Sequence, residues 1–158
     1  MILAIDPGVS GALVLLEDGQ IADAMMMPVS MDGKKKVVDP GYISDWIMGR
    51  RIDCAFLEKV SAMPGQGVTS MFSFGRSYGV IQGVLAAYEI SYALVTPQTW
   101  KKHHGLIGQD KDAARLLAKE LFPESELFDK KLKGQAFADA TLIGLYGSSL
   151  SVDHKAAC

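Results

Sequence analysis

The sequence predicts a mixed α/β sheet covered by helices, and three observations carry that expectation. Short apolar runs crowd the first 27 residues with turn signals between them, which reads as an antiparallel meander. Later apolar runs alternate with stretches of helical periodicity, the pattern of parallel strands joined by helical crossovers. Asp6, Glu58 and Asp139 stand at the ends or on the inner face of these core elements, where a carboxylate is costly to keep ionised.

The elements follow in order. Residues 2–5, 11–16 and 20–27 read as strands, joined by Asp6-Pro7-Gly8 and by the hairpin signal Glu17-Asp18-Gly19. A polar loop with Lys34-Lys35-Lys36 comes next. Asp39 and Pro40 then form an N-cap and first helical position for a helix whose apolar face is Tyr42, Ile43, Trp46 and Ile47, ended by Gly49. Residues 53–57 and 91–95 are continuous apolar runs, short enough for buried parallel strands. Thr96-Pro97 opens a short helix after the second. Between these strands, residues 61–67 are irregular and Ser70 to Ala87 is helical, with Gly75, Gly79 and Gly83 spaced four apart. Each glycine costs about 1 kcal/mol relative to alanine in a helix interior. The usual reason for such a stripe is close approach of another backbone, from the sheet or from a second subunit. A helix from about Lys111 to Leu121, capped by Asp110 and stopped by Pro123, precedes a last helix containing Asp139. Trp46 and Trp100 read as core.

The 158 residues suit a single domain, 1–158, and a composition 49% apolar and 22% charged is that of a soluble globular protein. Strand-sized apolar stretches and an immediate entry into β structure predict neither a transmembrane span nor a secretory signal, hence an intracellular protein. Cys54 sits in an apolar strand and Cys158 is the last residue, poor material for a structural disulfide and without metal-ligand spacing, so both read as incidental. A formal net charge of −2 argues weakly against a nucleic-acid partner. Its distribution is uneven, because Lys34-Lys35-Lys36, Arg50-Arg51, Lys101-Lys102 with His103-His104, and Lys130-Lys131 with Lys133 form compact basic clusters. Each cluster alone is ordinarily a solvated loop.

A strand-end aspartate is ordinarily a cap or turn residue. Three acids at matched places point instead to a cation that holds them together, and hard oxygen ligands favour magnesium. The site requires the strands bearing Asp6 and Glu58 to be neighbours.

The segments Ile2-Leu3-Ala4-Ile5-Asp6-Pro7-Gly8 with Ser10-Gly11-Ala12, Leu57-Glu58-Lys59-Val60, Ala62-Met63-Pro64-Gly65-Gln66-Gly67 with Ser70-Met71-Phe72 and Phe74-Gly75, Thr96-Pro97-Gln98 with Trp100-Lys101-Lys102, Asp110-Lys111, Leu121-Phe122-Pro123 and Ala138-Asp139-Ala140 carry a resemblance. Together they resemble the RuvC-type Holliday junction resolvases of the RNase H-like superfamily, in particular the phage-borne branch. The Asp-Pro-Gly segment alone is weak, since kinases of the actin-like superfold open similarly, and the loop through Gln66 makes the match specific.

The resemblance implies a mixed five-stranded RNase H-like sheet flanked by helices. It also implies a homodimer in the cytoplasm of a bacterial or phage-infected cell that cuts four-way and other branched DNA with metal-activated water. Asp6, Glu58 and Asp139 are the implied magnesium ligands, with manganese an alternative, and Lys111 a catalytic candidate beside the scissile phosphate. Phe72, with Phe74 in reserve, is the implied wedge between bases at the junction centre, against the ordinary reading of both as core. Gln66, Ser70, Arg76, Lys101 and Lys102 are the remaining implied DNA contacts, with His103 and His104 loop residues rather than ligands.

One position departs from the pattern. The phage-type family usually carries two carboxylates four apart on its last helix, and Gln135 stands where the earlier one is expected. Asp129 lies too far back to replace it. The alternatives are a natural variant with a relaxed metal site, an engineered inactive mutant, and a junction-binding protein that does not cut. An actin-like phosphotransferase fragment fails on length, since it lacks a second lobe to close over nucleotide.

Overall fold

The computed structural model describes residues 1–61, Gly65 and 67–153. Five strands form one sheet in the order β3-β2-β1-β6-β7, where β1 is Ile2–Asp6, β2 Ala12–Glu17, β3 Gln20–Met26, β6 Cys54–Glu58 and β7 Tyr92–Val95. The first three are an antiparallel meander, while β6 pairs parallel with β1 and β7 parallel with β6. The fold is therefore the RNase H-like mixed sheet that the resemblance implies. A separate hairpin, β4 (Val29–Asp32) with β5 (Lys35–Val38), precedes helix α1 (Pro40–Ile47). Then come α2 (Val68–Ala87), α3 (Pro97–His103), α4 (Ala113–Leu121), a 3-10 turn at Glu126–Phe128, and α5 (Lys131–Asp153).

Both faces of the central strands are covered, which is why these strands read as continuous apolar runs rather than alternating ones. Side chains alternate across a strand. Leu3, Ile5, Leu13 and Leu15 therefore meet Ile43, Ile47, Ile81 and Leu85 of α1 and α2 on one face. Val14, Leu16 and Phe56 meet Phe137, Leu142 and Ile143 of α5 on the other. Helix α5 lies very close to the sheet, because a Cβ at Gly144 would fall 2.7 Å from that of Ala4, and one at Gly147 2.3 Å from the Phe56 ring. Close seating of α5 brings its N-terminal half, with Asp139, over the end of β1.

Several expectations are corrected. The lysine-rich stretch is not a loop: Asp32-Gly33 turns it into the β4–β5 hairpin, with Gly33 at φ +62°. Helix α4 begins at Ala113, not Lys111, and Asp110 does not cap it with its side chain. Asp112 takes the N-cap position, yet its carboxylate is held by both Arg115 Nε and Nη2 at 2.7 Å and caps nothing. Trp46 is only half-buried; its indole N–H donates to Asp23 Oδ2 at 3.1 Å beneath the Arg50 guanidinium. Cys54 is buried at the start of β6. Gly75, Gly79 and Gly83 do not pack on the sheet, since a Cβ at any of them meets no heavy atom within 4 Å.

Candidate metal and nucleic-acid site

Asp6 is the last residue of β1 and Glu58 the last of β6. The parallel register pairs Ile5 with Leu57, so the two acids emerge side by side at the C-terminal ends of neighbouring central strands. A glycine is required just beyond: a Cβ at Gly11 would sit 2.0 Å from the Asp6 carbonyl oxygen, and Gly11 N–H closes the turn on Gly8 O at 3.1 Å. Helix α5, pressed on β1 and β2, adds Asp139.

The three carboxyls lie within electrostatic reach of one another. Desolvation raises the Asp6 carboxyl well above its ordinary value, and the negative charges of Glu58 and Asp139 raise it further while Lys101 opposes them. Glu58 is also raised by desolvation, against a hydrogen bond from Trp100 and the charge of Lys101. Asp139 is pushed up to about 6, by desolvation first, with the Gln135 hydrogen bond and Lys101 lowering it and Glu58 raising it. Lys101, in the last turn of α3, is thus the cation felt by all three acids. None of the three takes part in a salt bridge among the described residues.

Two neutral donors hold the cluster from either side. Trp100 Nε1–H donates to Glu58 Oε1 at 2.8 Å, and Gln135 Nε2–H donates to Asp139 Oδ1 at 2.9 Å. Among the described residues, no three histidine, cysteine, aspartate or glutamate side chains are already gathered at metal-holding geometry. The donor chemistry nonetheless fits a hard divalent cation: desolvated oxygen anions that repel one another and lack a salt-bridge partner.

The other expected residues divide. Lys111 and Lys101 line a cleft of about 310 Å³ together with Gln135 and Asp139. Ser70 and Phe74 line a second cleft of about 400 Å³ with Lys59, Pro97 and Gln98, and Phe74 lies against Gly8 in the turn after Asp6. Phe72 is 73% exposed, which removes its core reading. Lys102 is exposed on α3. Arg76 is engaged elsewhere, pairing with Asp32 of the β4–β5 hairpin at 2.5 Å. Gln66, with Ala62, Met63 and Pro64 of the same loop, lies outside the described residues. Neither histidine is the loop residue expected: His103 is the last residue of α3 and packs edge-on against Tyr146, and His104 caps that helix with its ring held by the Leu142 carbonyl at 2.9 Å. Sequence reasoning missed the link of Trp100 to Glu58. The available signal was that a buried indole N–H needs an acceptor.

No family model and no curated protein matches this sequence. The sheet order and helix placement define a RuvC-like fold of the RNase H-like class. Two solved structures similar to it are of Thermus thermophilus RuvC. One, in complex with Holliday junction substrate, superposes with a TM-score of 0.66 at 12% identity, covering 96% of this chain and 95% of that one. The other gives 0.62 at 13%, with the same coverage.

Proposed function

We propose that this chain is a RuvC-type structure-selective endonuclease of the phage-borne branch, a single domain over 1–158 that acts as a homodimer on four-way and other branched DNA. The observation that carries the reading is that Asp6 and Glu58 end neighbouring parallel strands within electrostatic reach of Asp139, each raised in pKa by desolvation and none in a salt bridge among the described residues.

Those three carboxylates would hold magnesium, or manganese in its place. When bound, the metal would activate water for attack on phosphorus and stabilise the leaving 3′ oxygen. The chain's own groups do the rest. Lys101 and Lys111 border the cleft beside Asp139, where they balance phosphate charge, and Ser70 of the second cleft and the exposed Lys102 add contacts that position the backbone without reading bases. Phe72 stands out of the protein as an apolar side chain free to enter an opened base step. The open glycine stripe of α2 allows a second copy of the helix to approach closely, which paired incisions in a two-fold junction require.

A second reading, a junction-binding protein that does not cut, is favoured by one contact: Gln135 brings a hydrogen-bond donor, not an anion, to Asp139. A gel assay of four-way junction cleavage in magnesium and manganese separates the two. Asp6→Asn should abolish cleavage and leave junction binding intact or tighter; retained cleavage in that variant overturns the assignment of the site.

A further inference from the structure

The geometry points to Trp100 as a positioning residue for the Glu58 carboxylate, a role that rests on the metal-dependent reading of the site. Trp100 is 1% exposed and packed among Phe56, Val95, Ala114 and Leu142, so its ring is fixed by its surroundings. A phenylalanine would keep an aromatic ring in that pocket and beneath Lys101, at the cost of some unfilled volume. The polar group that only the indole supplies is its N–H, directed at Glu58 Oε1, 2.8 Å away. A buried N–H requires an acceptor, and here the acceptor is a carboxylate of the candidate cage. The bond holds one Glu58 oxygen and so fixes the rotation of the carboxylate before any cation arrives. Helix α3 starts at a capped Thr96-Pro97 step directly after β7, which sets the depth at which Trp100 enters. A donor of this kind orients a ligand, and loss of such a partner typically costs about 10- to 100-fold in metal affinity.

The test uses the full chain and magnesium or manganese alone, without DNA. In the wild-type protein, adding magnesium should shift the Trp100 indole 1H–15N cross-peak. The Trp46 indole, bonded to Asp23 away from the acids, should stay in place as an internal control. By calorimetry, Trp100→Phe should bind manganese about 10- to 100-fold more weakly than wild type. If Trp100 serves packing alone, Trp100→Phe lowers the melting temperature and leaves manganese affinity within twofold, which overturns the proposal. A Trp100 cross-peak unmoved by saturating magnesium overturns it without recourse to a variant. Failure of the wild-type chain to bind either metal overturns the metal-site reading itself, whereas metal binding with unchanged Trp100→Phe affinity overturns only the positioning role.

Discussion

Gln135 and Asp139 lie one turn apart on α5 and are joined by a hydrogen bond, the glutamine amide donating to Asp139 Oδ1 at 2.9 Å. The contact lowers the Asp139 pKa against desolvation, so Gln135 partly does for that carboxylate what a cation would do. A carboxylate at position 135 would instead repel Asp139, and the pair would depend on metal for its stability.

Gln135→Asp should therefore raise junction cleavage and lower the magnesium concentration needed for half-maximal rate. Without metal the same variant should melt below wild type, because a donor has been exchanged for a like charge. Unchanged rate and unchanged metal dependence would mean that the site uses only Asp6, Glu58 and Asp139, with position 135 outside it.

The pH dependence follows from Asp139. Its carboxyl titrates near 6 in the folded chain against an ordinary 3.8, so between those values the folded state binds more protons than the unfolded one. Stability of the metal-free protein should then fall as pH rises through that window and level off above it. Metal binding needs the ionised form, so metal affinity should rise over the same range. Melting curves of the metal-free chain at pH 5 and 7.5 check the sign, and in Asp139→Asn the contribution of this group should vanish.

Phe72→Ala should weaken cleavage of intact junctions while changing stability by no more than about 0.5 kcal/mol, the range of an exposed substitution. A loss of about 3–5 kcal/mol in denaturant unfolding would be the mark of a buried aromatic and would remove Phe72 from the DNA surface.

Gly79→Leu tests assembly. Its Cβ meets nothing within 4 Å in the single chain, so the variant should fold. Light scattering at micromolar concentration should give a dimer mass for wild type and a monomer mass for the variant. A monomeric wild type would contradict the homodimer.

The acids at the strand ends were legible in the sequence because Ile2 to Ile5 and Cys54 to Leu57 are unbroken apolar runs that each stop at a carboxylate. Their adjacency was not, since parallel pairing of β1 with β6 is a tertiary choice made through a long crossover. The β4–β5 hairpin was overlooked because its exposed lysines give no apolar alternation, although Asp32-Gly33 was a usable turn signal. Asp112 takes the N-cap position of α4 without a side-chain cap because its carboxylate is held by Arg115, a pairing that capping rules do not foresee. Trp100 reads as core and is buried, but a sequence does not give the direction of its N–H, which points at Glu58.

The three acids come from the first strand, a middle strand and the last helix, with Gly144 and Gly147 setting how far that helix settles onto the sheet. During synthesis, Asp6 emerges from the ribosome early and has no company until β6 pairs with β1 and α5 docks. A partly made chain therefore carries none of the assembled cluster, because the contacts that complete it join the two ends of the described sequence. Under the proposed activity, competence to cut DNA waits for α5 to dock on the sheet.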